Sequence, residues 1–257
     1  MTWTEAILLT VSAAAAGLIN AVAGGGTLLT FPTLLLARTP AVIANATSTL
    51  ALVVGTFGSV FGYRRQLPSV RPWLRRFIPV SLLGGLIGAV LLTASGEKIF
   101  SKLVPFLLLF ATVLFLGQGA FKRFAGFDNA APHPHSRMVW AAVGFQFLVA
   151  VYGGYFGAGI GILMLASLGF IGLTDIHEMN ALKTVLGSLI NLVAAAYFIF
   201  AGLINWPKAG VMTIGALAGY YLGSHYSQRI PQQRVRQIIT AIGFAISAVL
   251  FYEQFLR

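Results

Sequence analysis

Hydrophobic positions in this chain fall into long unbroken blocks, and polar positions cluster between them. The blocks run over about Thr4–Val22, Ala44–Tyr63, Phe77–Leu92 and Ile99–Phe121, then Met138–Phe156, Met179–Ala201, Ala209–Gln228 and Val235–Leu256. Several approach the roughly 18 apolar residues that let a helix span a bilayer. A transmembrane β-barrel needs short segments of alternating polarity instead. The pattern predicts an all-α, polytopic helical membrane protein.

Two glycine clusters interrupt this pattern. Ala23-Gly24-Gly25-Gly26-Thr27 divides the first block from an apolar arm, Gly26–Ala37. Gly157-Ala158-Gly159-Ile160-Gly161 divides the Met138–Phe156 block from a second arm that ends near Gly172. The first arm has 12 residues, about 18 Å as a helix, too short for a hydrocarbon core of about 30 Å. Each glycine in a helix costs about 1 kcal/mol relative to alanine, and bare backbone in lipid costs more unless protein or a water-filled cavity satisfies it. Each cluster therefore reads as a break that presents main-chain N–H groups to a polar ligand. Thr39-Pro40 reads as a helix N-cap followed by Pro at the first helical position. Thr174 reads as the corresponding cap in the second half, with Asp175 and Glu178 in the first turns, where negative charge suits the helix dipole.

A shift of 135 residues lays the second half on the first without a gap. Ala23 then meets Ala158, Gly24 meets Gly159, Gly26 meets Gly161, and Thr39 meets Thr174. Asn45-Ala46 meets Asn180-Ala181, Thr49 meets Thr184, and Pro72 meets Pro207. Gly84 and Gly88 meet Gly219 and Gly223. Matches of Asn, Pro and Thr in one register indicate an internal duplication, a common plan among transporters. The expected organisation is a first repeat over 1–121, a cytoplasmic linker over 122–137 and a second repeat over 138–257, each repeat a broken hairpin followed by three spans.

Charge supplies the orientation. The loop read at 64–76 carries five arginines and belongs inside, whereas its counterpart at 199–211 carries only Lys208. The turn at 95–98 is neutral, and its counterpart at 230–233 is flanked by Arg229, Arg234 and Arg236. The bias swaps between halves, so the repeats are expected to be inverted, with both termini outside. The broken segments either return to their own side, in a re-entrant manner, or cross fully. Arg38, Lys98 and Lys102 fall outside in this scheme, against the charge rule. The chain is 58% hydrophobic and 9% charged, with a mean hydropathy of +0.85. Its net charge of +11 reads as topology signal rather than a nucleic-acid surface.

Inversion would bring the two breaks together from opposite leaflets, two helix N-termini facing one midplane anion. The isolated Gly84…Gly88 and Gly219…Gly223 pairs read as close helix packing instead. Gly24, Gly25, Gly26 and Thr27 form the first candidate wall of the site. Gly157, Ala158, Gly159 and Gly161 form the second. Asn45, Ser48 and Thr49 supply hydrogen-bonding groups from one helix. Asn180, Lys183 and Thr184 occupy the equivalent positions, and Lys183 supplies the cation. A lysine at mid-membrane depth costs on the order of 2.5–3.5 kcal/mol on insertion scales; snorkelling along its stem is the alternative. Asn20 and Gln146 precede the breaks and are weaker candidates for the cavity wall. His177 and Glu178 open the Lys183 helix, but Ala181 stands where a zinc-protease motif needs its second histidine. There is no cysteine, no Gly-x-Ser-x-Gly and no credible metal set, so no catalytic residue, metal or cofactor is expected. No nucleotide-binding Gly-x4-Gly-Lys loop occurs either, so a gradient must drive any transport.

The chain resembles the sulfite exporter TauE/SafE family (the toluenesulfonate uptake permease group). The stretches that carry the resemblance are Ala23-Gly24-Gly25-Gly26-Thr27 with Pro32, Asn45-Ala46-Thr47, Gly153-Gly154-Tyr155-Phe156-Gly157-Ala158-Gly159, Asn180-Ala181-Leu182-Lys183-Thr184, Trp206-Pro207 and Gly219-Tyr220-Tyr221-Leu222-Gly223. The first motif has three glycines where many members have four, and Asn45-Ala46-Thr47-Ser48 lacks the lysine often found there. The resemblance covers nearly the whole chain. It implies an integral protein of the bacterial inner membrane that transports a sulfur oxyanion, organosulfonate or small organic acid. The expected function is secondary transport of a small anion by alternating access around a midplane site. Rival readings are an anion-channel-like pore, a non-transporting membrane subunit and, less favoured, an intramembrane enzyme. Expected partners are the anionic substrate and membrane lipid, with a coupling proton or other ion and a homo-oligomeric state left open.

Overall fold

The computed structural model describes residues 1–22, 25–124, 136–169, 173, 175–226 and 232–255, and all regular structure among them is helical. The helices are α1 (Trp3–Val22), α2 (Thr27–Leu36), α3 (Ala41–Gly62), α4 (Leu67–Phe124), α5 (Ser136–Tyr155), α6 (Ile160–Gly169), α7 (Ile176–Phe200), α8 (Trp206–Tyr226) and α9 (Gln232–Phe255). Gly96, at φ 68° and ψ 173°, divides α4 into two arms, 67–95 and 97–124. Five of these helices, α4 among them, are long and apolar enough to cross a membrane. Their outward faces are apolar, with Trp3, Trp140 and Phe200 strongly exposed, as a lipid environment requires.

Helix ends follow local chemistry where local chemistry is available. Thr2 and Glu5 form a reciprocal capping box on α1: the Thr2 N–H donates to the Glu5 carboxylate at 2.8 Å and the Glu5 N–H to the Thr2 hydroxyl at 3.2 Å. Asp175 caps α7, its carboxylate accepting from the His177 N–H at 2.7 Å. This replaces the expected Thr174 cap, and Thr174 itself lies outside the described residues. Thr39 does not cap α3 either. The first two N–H groups of α3, on Ala41 and Val42, donate to the carboxylate of Glu97 just past the Gly96 kink. The two oxygens of the carboxylate take one donor each, and its negative charge, which a hydroxyl lacks, complements the positive helix end. The Thr39 hydroxyl instead accepts from the Lys208 ammonium at 2.9 Å, and that ammonium also donates to the Ala37 carbonyl at the end of α2, at 2.7 Å.

The basic stretch read as a loop is mostly helix. Only Tyr63–Gln66 form a turn, and α4 begins at Leu67. Pro68 falls in the first turn, where a missing N–H costs no intrahelical bond. Arg64, Arg65, Arg71, Arg75 and Arg76 all remain exposed.

The packing links the halves. α1 lies against α8, and α5 lies against the N-terminal arm of α4. Adding 135 to the residue numbers of α1 and subtracting 135 from those of α8 turns the first pairing into the second. The glycine pairs make both contacts close. A Cβ on Gly84 would meet the Phe147 carbonyl oxygen at 2.8 Å, and one on Gly88 would meet the Val151 carbonyl oxygen at 2.1 Å. Across the other pair, a Cβ on Gly219 would meet the Ala14 carbonyl oxygen at 1.9 Å, and Gly223 seats on Leu18. The packing reading of these glycines holds.

Candidate functional site

At the first break, Gly25 has φ 92°, a conformation that glycine adopts without a Cβ penalty. It lies under the fully buried ring of Phe115, and a Cβ there would stand 2.6 Å from Cε2. The amide of Asn20 bridges the next step. Its oxygen accepts from the Gly26 N–H at 2.7 Å, and its nitrogen donates to the Tyr220 hydroxyl at 2.9 Å. The Gly26 N–H is therefore already engaged, contrary to the expectation that this whole cluster bares its donors. Asn20 thus ties the break to α8 through Tyr220. Thr27 begins α2, and Gly24 lies outside the described residues.

At the second break, Gly157 and Gly159 have φ 80° and 77°. Their left-handed geometry turns the chain from α5 into α6. The Tyr152 hydroxyl donates to the Ala158 carbonyl at 2.7 Å. Among the described residues no acceptor meets the main-chain N–H of Ala158 or of Gly159. Ala158 is fully buried. Gly161 opens α6 against the stem of Lys183, whose Cδ stands 3.3 Å from where a glycine Cβ would be. Lys183 is half-buried, eight residues beyond the Asp175 cap, about 12 Å along the axis of α7.

The two breaks lie against one helix. Gly25 packs on Phe115, and Gly159 faces Ala111, with backbone and Cβ at 3.7–3.9 Å from its virtual Cβ. Ala111 and Phe115 are one turn apart on the C-terminal arm of α4, a separation of about 6 Å along the axis. Phe31 of α2 meets Phe156 edge-on, centroids 5.3 Å apart, and Phe100 and Tyr155 extend the cluster. The short helix after the first break thus touches the residue that immediately precedes the second.

α3 connects both. The Ser48 hydroxyl shares a hydrogen bond of 2.6 Å with Thr30 on α2. The Asn45 amide nitrogen donates to the Tyr155 carbonyl at 3.1 Å, at the last turn of α5. The Asn45 oxygen is buried and unpartnered. Thr49 donates back to the Asn45 carbonyl at 2.9 Å. Asn180, Lys183 and Thr184 follow the spacing of one face of α7, all half-buried. Neither Asn180 nor Thr184 makes a side-chain hydrogen bond among the described residues. Gln146 donates to Ser81 on α4 at 3.1 Å.

Sequence reasoning missed Tyr152, Tyr155, Tyr220, Ala111 and Phe115 as parts of this constellation. Tyr155 carried a readable signal, because the 135-residue shift puts it on Asn20. Ala111 and Phe115 carried none, since an apolar residue in an apolar span looks like any other.

The sequence matches the model of the family described as Sulfite exporter TauE/SafE over residues 9–250. It is 30% identical over 243 residues to a protein of Haemophilus influenzae named "Probable membrane transporter protein", covering 93% of this chain and 91% of that one. A Sinorhizobium protein, "Probable membrane transporter protein ORF9", is 26% identical, with 95% and 92% covered. "Probable membrane transporter protein YfcA" of Escherichia coli strain K12 is 26% identical, with 93% and 86% covered.

Proposed function

We propose, from the premise that the chain belongs to the sulfite exporter TauE/SafE family, that it is a secondary transporter of a small anion. The family is one of membrane transporters rather than enzymes, and this chain is an integral membrane protein with multiple apolar helices. The reading goes further in naming the cargo, a sulfur oxyanion, organosulfonate or small organic acid, and in locating its site between the two glycine breaks.

One observation carries this reading: both breaks rest on adjacent turns of a single helix arm, at Ala111 and Phe115. Each break opens a short helix, and helix N-termini aimed at one point concentrate N–H donors and positive potential where an anion binds. The N–H groups of Gly25, Thr27, Ala158, Gly159 and Gly161 have no acceptor among the described residues, whereas the Gly157 N–H donates to the Tyr152 carbonyl at 3.2 Å. The Lys183 stem on Gly161 supports its role as the countercharge. Thr27 and Asn180 complete the lining in this reading. The swapped packing of α1 on α8 and of α5 on α4 supports an inverted duplication with a boundary at 122–137. Alternating access then moves one repeat against the other around the fixed site, with both termini outside.

The test is uptake of labelled sulfite or sulfonate into vesicles that hold purified protein. Lys183→Met is expected to abolish it. Wild-type rates in that variant would remove Lys183 from the site.

A further inference from the structure

We infer that the anion taken by this site also carries a hydrogen-bond donor, an O–H or N–H near its charged head, which the Asn45 side-chain oxygen receives. The inference rests on the anion-transport reading and narrows its substrate class.

The orientation of the Asn45 amide is fixed by its neighbour. The Tyr155 carbonyl can only accept, so the amide turns its nitrogen to it, at 3.1 Å. The oxygen of the same amide must then point elsewhere, and it finds no partner. Asn45 is 1% exposed, so bulk water does not satisfy that oxygen. A buried acceptor without a donor is costly and demands an explanation. Other buried oxygens lack partners as well, on Gln66, Gln146, Ser188, Thr240 and Ser247. Asn45 differs from them because its amide is anchored to the last turn of α5, two residues before Gly157.

The chemistry at this break is thus mixed. The main chain at Ala158 and Gly159 offers donors, while Asn45 offers an acceptor. A sulfonate or carboxylate group alone brings acceptors only. It suits the N–H groups, but its negative oxygens repel the Asn45 oxygen. A hydroxy- or amino-substituted anion satisfies both. A site built to accept from a substrate hydroxyl discriminates against the analogue that lacks it, because the site's own group is then left buried and unpaired.

Isosteric pairs test this directly. Binding to the purified full chain is measured for 2-hydroxyethanesulfonate against 1-propanesulfonate, and for glycolate against propionate, with sulfite as a fifth probe. The expected wild-type preference is about tenfold or more for the hydroxyl-bearing member of at least one pair. In Asn45→Leu, which cannot accept, the ratio for that pair falls to within about threefold. The wild-type ratio decides alone if the variant does not fold. Equal binding within each pair overturns the inference and leaves anion transport standing. So does sulfite as the sole ligand. Failure of all five to bind or be transported refutes the anion reading itself.

Discussion

Gly25→Ala isolates the contact that seats the first break on α4. Two costs add in this variant. At φ 92° an L side chain carries backbone strain of about 1–2 kcal/mol. The new Cβ would also stand 2.6 Å from Cε2 and 3.1 Å from Cδ2 of Phe115, against a carbon–carbon optimum of about 3.5–4.0 Å. Phe115 is fully buried, so its ring has little room to retreat, and overpacking of this kind costs about 1–3 kcal/mol. The sum is about 2–5 kcal/mol. Gly159→Ala is the internal comparison. It has a similar φ of 77°, but its Cβ would meet Ala111 no closer than 3.7 Å, so only the backbone part, about 1–2 kcal/mol, remains. Phe115→Leu removes the ring edge and is expected to rescue Gly25→Ala by about 1–3 kcal/mol in a double-mutant cycle, without rescuing Gly159→Ala. Reversible unfolding in mixed micelles, followed by tryptophan fluorescence, measures all the terms. An additive cycle, or a Gly25→Ala cost no larger than that of Gly159→Ala, would refute the placement of this break on Phe115.

Further outcomes follow from the same geometry. Asn20→Leu leaves the Gly26 N–H and the Tyr220 hydroxyl without their shared partner; the expected loss is about 1–3 kcal/mol in the same unfolding assay, together with reduced anion flux. Glu97→Ala removes the cap of α3 and is expected to cost about 1–2 kcal/mol, more than Thr39→Ala; the reverse order would restore Thr39 as the cap. Gly88→Leu drives a side chain into the Val151 carbonyl of α5, and the variant is expected to fail to yield monodisperse protein by size-exclusion chromatography. A well-behaved variant there would contradict the close packing of α5 on α4.

Much of the architecture was legible because lipid simplifies the problem. Continuous apolar blocks mark spans, and a glycine cluster inside one has few meanings. Gly25, Gly157 and Gly159 have the left-handed dihedrals that such breaks need. The helix caps were less legible, for a definite reason. Thr39 precedes α3 and looks like a cap, but Glu97, 56 residues beyond Ala41, takes the N–H groups of that helix end. Local spacing cannot reveal such a competitor. Pro68 and Pro72 among five arginines resembled a loop, yet a helix tolerates Pro near its start, and α4 runs through both. In the site, Lys183 and the Asn residues stood out as costly polar groups in apolar spans. Sequence could not show that Asn20 already holds the Gly26 N–H, nor that Asn45 turns its nitrogen to Tyr155, because both depend on tertiary geometry.

The central claim is that the two breaks jointly cradle an anion. Crystals grown with selenite, a heavier analogue of sulfite, test it most directly through the anomalous signal of selenium. The account predicts a peak between the breaks, within hydrogen-bonding distance of the main-chain N–H groups of Ala158 and Gly159 and beside the Lys183 ammonium. Selenite bound elsewhere in the protein, with no peak between Gly25 and Gly159, would contradict it.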